Sequence, residues 1–338
     1  IIDPALISDP QIFIWAMTAA LLSAALWLNF ATSIGAPVST THSIVGGVMG
    51  AGIAAAGFAI VDWGTMAKIA SSWVISPVLG GVIAAGFLYF IKKNIVFKDD
   101  MISSAKKFVP ILITIMVWVF ATYLMLKGMK KIVKVDFGEA LAIGFVISII
   151  VYYFAKPMIV KATLKLDNSR VSVNTLFTIP LIFSAALLSF AHGANDVANA
   201  IGPVAAVYAV ATMGLAGMKV PVPKWILAMG GLGIAVGVAT YGYRVMETVG
   251  KKITELTNTR GFSIDFSAAT VVLIASWLGL PVSTTHTVVG AVIGVGLARG
   301  VKAINKDIVK DIVISWFVTV PVAAIIGGIV FKILMVLG

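Results

Sequence analysis

Apolar residues occupy this chain in long blocks, with polar residues confined to short gaps between them. Residues 11–61 contain no Asp, Glu, Lys or Arg. Further apolar runs cover 64–91, 108–126, 137–155, 171–218, 225–243, 264–298 and 308–336. None alternates apolar and polar positions, so barrel strands are excluded. A helix needs about 20 apolar residues to cross a hydrocarbon core of about 30 Å. The pattern therefore predicts an all-α polytopic membrane protein. The polar gaps at 99–107 and 156–170 are expected to be loops, the second a joint between two halves. The most charged stretch, 244–260, is expected to be an aqueous loop with an interfacial helical turn. The 171–218 run is expected to break in its middle.

Composition sharpens this reading. Of 338 residues, 60% are hydrophobic and 12% charged, against roughly a quarter charged in soluble domains. The mean hydropathy is +1.05. Cysteine is absent, which excludes a secreted disulfide scaffold. The apolar excess excludes a disordered chain. The net charge of +11 does not point to nucleic acid. Its basic residues, such as Lys92, Lys93, Lys106, Lys107, Lys130, Lys131 and Lys134, flank apolar runs as charges flank membrane spans. The lipid bilayer is the expected partner.

The chain repeats itself. Residues 31–54, ATSIGAPVSTTHSIVGGVMGAGIA, return as 275–298, ASWLGLPVSTTHTVVGAVIGVGLA, at an offset of 244 with 14 of 24 positions identical. Ser72-Trp73 with Pro77 resembles Ser315-Trp316 with Pro321. Two structural halves are expected, a construction many transporters share. We place a first repeat at 1–98 with a tip at 35–42, scaffold helices and a linker at 99–170, and a second repeat at 171–338 with a tip at 279–286.

Each PVSTTH segment reads as the tip of a re-entrant hairpin. Pro281 divides a charge-free run into arms of 266–280 and 285–298, each about 21–22 Å long as a helix and too short to cross alone. Ser and Thr are preferred N-caps, and helix N-termini present free N–H groups and partial positive charge. Hydroxyls from Ser39, Thr40, Thr41, Ser283, Thr284 and Thr285 would complete a nest suited to a tetrahedral oxyanion. Capping at a membrane surface is the plainer alternative.

The second unusual segment is His192-Gly193-Ala194-Asn195-Asp196-Val197-Ala198-Asn199. Asp196 is the only charged residue among the 48 between Arg170 and Lys219. A carboxylate at mid-membrane costs at least about 2.5–3.5 kcal/mol. Asn195 and Asn199 are one turn apart, and Asn199 also neighbours Asp196. These hard oxygen donors suit Na⁺, and Gly193 is expected to unwind the helix locally and free carbonyls for the ion. A carboxylate bonded to backbone at a helix start, or a proton carrier, are the alternatives. The offset puts the counterpart of Asn195 about fifty residues before Ile1, so an additional N-terminal segment is expected.

All three histidines, His42, His192 and His286, fall in these motifs. They are too few and too scattered to establish a metal site and are expected to bond neighbouring helices. Gly46-x-x-x-Gly50 and Gly290-x-x-x-Gly294 match across the repeat and are expected to bring helices close.

The pairing of SFAHGANDVANAIGP at 189–203 with two PVSTTH segments resembles the PiT family of inorganic phosphate transporters. The resemblance spans essentially the whole chain. It implies an inverted-repeat secondary transporter, not an enzyme, multi-pass in the plasma (inner) membrane and free of cofactors. It implies import of inorganic phosphate with Na⁺, phosphate facing Ser39, Thr40, Thr41, Ser283, Thr284 and Thr285, and sodium facing Asn195, Asp196 and Asn199. The family carries the Asn-Asp-Val-Ala-Asn segment in both halves, whereas this chain has one. Proton-coupled phosphate or metal-phosphate symport, a passive anion channel, and a homo-oligomer stay open. An intramembrane hydrolase pairing Ser39 with His42 is disfavoured, since it would not need two tips. No G-x-x-x-x-G-K-[ST] loop is present to bind ATP.

Overall fold

The computed structural model describes residues 1–128, 135–214, 222–280 and 282–337. Pro281 and the basic positions Lys130, Lys131 and Lys134 lie outside the described residues, as does the end of the 171–218 run. The described chain is helical: α1 Pro10–Ser33, α2 Thr40–Ala56, α3 Trp63–Ile91, α4 Met101–Tyr123, α5 Phe137–Thr163, α6 Arg170–Leu176, α7 Thr178–Met213, α8 Lys224–Glu247, α9 Asn258–Leu278, α10 Thr284–Leu297 and α11 Lys306–Leu337. Eight of these helices are long and apolar enough to cross a membrane. Large apolar side chains such as Phe154, Phe317 and Leu232 face outward, at 74%, 77% and 67% exposure. In water that surface would drive aggregation; in lipid it is the solvated face.

Several boundaries differ from expectation. Helix α4 begins inside the gap at 99–107, because Asp100 caps it by accepting the Ser103 N–H at 2.8 Å. Helix α5 runs on to Thr163, and α8 to Glu247 with a further π turn over Thr248–Lys252. Helices tolerate Lys and Arg at their ends because long basic side chains reach the interface. The break in the 171–218 run falls at Phe177, between α6 and α7, and not at its centre. Helix α9 has 21 residues where 15 were expected. It incorporates Asp265, set against the Ser184 hydroxyl of α7. At about 31 Å it can cross alone, so of the four helices that meet at the tips only α2 and α10, with 17 and 14 residues, are short.

At each tip the chain doubles back, α1 against α2 and α9 against α10. Both turns begin at a glycine in the left-handed region, Gly35 at φ 71° and Gly279 at φ 73°, where a side chain would be strained. Matching closures follow: the Ala36 N–H donates to the Ala31 carbonyl and the Leu280 N–H to the Ala275 carbonyl, each at 2.9 Å.

The two short helices then exchange partners. Helix α2 of the first repeat packs on α11 of the second, and α10 of the second packs on α3 of the first. The repeated glycines permit this. A Cβ on Gly50 would overlap the Ala324 carbonyl, and one on Gly294 the Gly81 carbonyl. The expected packing role of both glycine pairs is thus observed, as an interlock between repeats.

Candidate functional site

Each tip ends in a capped helix. Ser39, extended at φ −91° and ψ 125°, accepts the His42 N–H on its Oγ at 3.1 Å, and the Ser43 hydroxyl donates to the Ser39 carbonyl at 2.8 Å. Ser283 repeats this with the His286 N–H at 3.1 Å and the Thr287 hydroxyl at 2.8 Å. The first-turn N–H groups of Thr40, Thr41, Thr284 and Thr285 have no intrahelical acceptor and carry the positive end of each helix dipole.

Helix α7 delivers Asp196 to the point where the tips meet. The residue is 4% exposed. Thr40 Oγ1 donates to its Oδ2 at 2.9 Å, and Thr284 Oγ1 to the same oxygen at 3.1 Å. Asn195 Nδ2 donates to Oδ1 at 2.8 Å and to the Val282 carbonyl at 3.0 Å. Asn199 Nδ2 donates to Thr41 Oγ1 at 2.9 Å and lies 3.4 Å from Oδ1. Thr41 Oγ1 donates to the Val282 carbonyl at 3.1 Å. His192, one helical turn before Asp196, sets Nδ1 2.8 Å from Thr284 Oγ1 and 3.2 Å from Asp196 Oδ2. Equivalent threonines from both repeats therefore clasp one carboxylate.

A cavity of about 620 Å³ opens onto this network, with Thr40, His192, Asp196, Asn199 and Tyr241 among its lining and walls from α1, α2, α7 and α8. That size is within the usual range for small-ligand sites, about 300–1,000 Å³. The carboxylate accepts hydrogen bonds from Thr40, Thr284 and Asn195 and faces two helix N-termini, which carry partial positive charge. The protein's own carboxylate thus occupies a place built for an anion. Its oxygens, with the Asn and Thr side chains, are also hard ligands for an alkali cation. Among the described residues no group of three or more His, Cys, Asp or Glu could hold a transition metal.

Of the residues singled out in the sequence, Thr40, Thr41, Thr284, Asn195, Asp196 and Asn199 come together in one network. Ser39 and Ser283 stand beside it as caps, each keeping its own hydroxyl hydrogen. Thr285, half-buried, takes no part in it among the described residues. Gly193 does not unwind α7, which is helical throughout Thr178–Met213. The tips already satisfy the Asn and Asp side chains, and a Cβ at Gly193 would meet nothing within 4 Å. Freed carbonyls of α7 are therefore not part of the site. His192 bonds a neighbouring helix as expected, through Thr284 of α10; sequence reasoning missed its place beside Asp196, for which their spacing of four was a usable signal, and the Val282 carbonyl, which carries none.

His42 and His286 lie behind the tips, buried at 2% and 1% exposure. Their rings stand 4.2 Å apart, His42 against the Trp73 ring at 3.7 Å and His286 against Trp316 at 3.8 Å. Each also faces the backbone of the other's tryptophan, His42 that of Trp316 and His286 that of Trp73. These histidines meet neighbouring helices by ring stacking and not by the expected hydrogen bonds, since the ring nitrogens of both are buried without a hydrogen-bond partner among the described residues. The His42 ring is committed to this stack, while Ser39 Oγ receives the His42 backbone N–H, which removes the pairing a hydrolase would need.

Comparison with known proteins agrees with this geometry. The profile described as "Phosphate transporter family" matches residues 1–327. A provisionally named phosphate permease of Pyrococcus abyssi is 56% identical across all of this chain and 83% of its own length. One from Thermococcus kodakarensis is 57% identical, covering 100% of this chain and 82% of the relative. A solved structure, "The sodium-dependent phosphate transporter", superposes with a TM-score of 0.90 at 42% identity over 97% of this chain and 81% of that one. These relatives are permeases and transporters, not enzymes. With eight candidate spans and a site between two interlocked repeats, the chain is an integral multi-pass membrane protein that belongs to the phosphate transporter family.

Proposed function

We propose that the protein is a secondary active transporter that imports inorganic phosphate coupled to Na⁺. The observation that carries this reading is the convergence of both helix N-terminal tips on Asp196. The names of the structural neighbour and of the permease relatives support the same cargo and cation.

On this proposal Na⁺ binds at Asn195, Asp196 and Asn199, and phosphate at Ser39, Thr40, Thr41, Ser283, Thr284 and Thr285. The order follows from charge. Without a cation, the Thr40 and Thr284 hydroxyls are spent on Asp196, and its negative charge opposes an incoming anion. Na⁺ on the carboxylate oxygens neutralises that charge and frees both hydroxyls to turn toward phosphate. The first-turn N–H groups complete its shell. Binding of both ions then favours the closed state to the extent that each binds it more tightly.

The division into repeats at 1–98 and 171–338 with a scaffold at 99–170 remains our proposal for the moving parts, with one constraint. The Gly50–Ala324 and Gly294–Gly81 contacts interlock the repeats, so the halves do not separate as independent bodies. Motion is assigned to the walls around the interlocked core, α8 foremost, since only Ile226 of that helix is buried.

The test is labelled phosphate uptake into proteoliposomes under an imposed Na⁺ gradient, an imposed pH gradient, or neither. Uptake driven by the Na⁺ gradient supports the proposal. Uptake driven by the pH gradient alone transfers it to proton coupling, and uptake indifferent to both rejects symport.

A further inference from the structure

A second hollow of about 790 Å³ lies on the outer face of the molecule, away from the Asp196 cavity. It is a groove between α3 and α11 with α10 as its floor. Its α3 wall extends from Ala70 to Ala85, about 22 Å along the helix. That exceeds the roughly 15 Å depth of one hydrocarbon leaflet. Val74, Val82 and Phe317 line it at 67%, 65% and 77% exposure. Immersed in a membrane, such a groove holds hydrocarbon.

The mouth decides which lipid. On α11, Lys306, Lys310, Val313, Phe317 and Val320 succeed one another at spacings of three and four, along one face, and the last three line the groove. Asp307 and Asp311 lie about 100° and 140° around the helix from the middle of that stripe, with Asp307, three residues before Lys310, about 60° from that lysine. The face of α3 that carries Pro77, Gly81 and Ala85 leads, two turns further on, to Lys92 at the start of the π turn that follows the helix. Its Nζ donates to the Ala298 carbonyl at 3.1 Å, one residue beyond the groove residue Leu297. Arg260, Arg299 and Arg170 stand within electrostatic reach of Lys92, and Arg260 and Arg299 share one carboxylate, Glu255. Among the described residues no carboxylate pairs with Lys92, Lys306 or Lys310. Tyr89, 61% exposed with Lys93 Nζ 5.9 Å from its ring centroid, marks this end as the membrane interface.

We infer that this groove is a site for an anionic phospholipid, one acyl chain lying against α10 and the phosphodiester headgroup seated between Lys92 and Lys310. The charge excess at one end of an apolar slot is what separates it from ordinary lipid-facing surface. The floor ends on His42, Trp73, His286 and Trp316, the stack behind both tips, so a bound chain presses on the packing that positions them. The inference stands apart from the transport proposal and does not depend on the cargo.

The test uses the full chain in detergent, titrated with phosphatidylglycerol or phosphatidylcholine carrying identical brominated chains, which quench tryptophan on contact. Trp73 and Trp316 line the groove; the remaining tryptophans supply a background independent of headgroup. Phosphatidylglycerol is expected to quench at a roughly thirtyfold lower mole fraction than phosphatidylcholine, from two lysines near the surface. The K92Q/K310Q variant is expected to lose the preference. Filling the groove with Val78→Phe is expected to abolish the groove component for both lipids. Equal quenching by both lipids in the unmodified protein overturns the inference, and this arm needs no variant to fold. Relief of quenching by inorganic phosphate overturns it in favour of a free-phosphate site. Disulfide capture of a second copy through Val78→Cys in native membranes overturns it in favour of a subunit interface.

Discussion

Replacing Asp196 with Asn changes one atom and removes one charge at the centre of the site. The carboxylate accepts short hydrogen bonds from Thr40, Thr284 and Asn195 at 2.9, 3.1 and 2.8 Å. A bond to a charged acceptor contributes about 1.5–3 kcal/mol and a neutral one about 0.5–1.5. The substitution therefore weakens the clasp by about 1 kcal/mol per bond, roughly 3 kcal/mol in all. Threonine hydroxyls can reverse to accept from the new amide, so the tips still close. The cation loses more. A unit charge about 4 Å away in a site of effective dielectric near 20 contributes about 4 kcal/mol, or about a thousandfold in affinity. Stimulation of uptake by Na⁺ should therefore vanish over any workable range. Phosphate binding to the purified variant should persist and no longer require Na⁺, because the competing anion is gone. Proteoliposome uptake and equilibrium binding of labelled phosphate, each with and without Na⁺, read the two effects separately. Unchanged Na⁺ stimulation in D196N would show that the cation binds elsewhere.

Further outcomes follow from the same geometry. Gly50→Val and Gly294→Val drive a side chain into the facing backbone. Each should destabilise by about 3 kcal/mol, the upper end of overpacking, lowering the melting temperature in detergent; an unaltered melt would deny the interlock. Ser39→Ala and Ser283→Ala remove equivalent N-caps. They should cost about 1 kcal/mol each and by similar amounts in denaturant titration, and a large disparity would break the equivalence of the tips. Glu255, in the loop between α8 and α9, has its carboxyl held below the usual range by hydrogen bonding and attraction from Arg260, joined by Arg299. A depressed folded-state value means this contribution is complete above the ordinary glutamate range, about 4.3, and is lost as the pH falls through the lower folded value. Comparing melting temperature against pH for Glu255→Gln and the unmodified protein should show the difference shrinking on acidification. A difference that widens on acidification contradicts the assignment.

What the sequence determined about this protein is local. Charge-free blocks locate the spans because burying a charge in hydrocarbon is costly over any stretch. PVSTTH announces a helix start because Ser and Thr oxygens replace missing backbone acceptors within a turn, and both caps form as the repeat requires. The glycine pairs announce close packing through their spacing on one face. Counting charges failed where a charge was partnered, as with Asp265 against Ser184, which hid the true length of α9. Gly193 misled because flexibility acts only where the tertiary environment demands it. The partners of Asp196 had to come from the tertiary structure. Thr40 is 156 residues away and Thr284 is 88, and no period along one helix specifies which others meet it. The exchange of α2 onto α11 and α10 onto α3 is of the same kind. A repeat in sequence says that two units resemble each other. Only packing decides whether they stand side by side or pass through one another, since that choice depends on which backbones can approach across the whole fold.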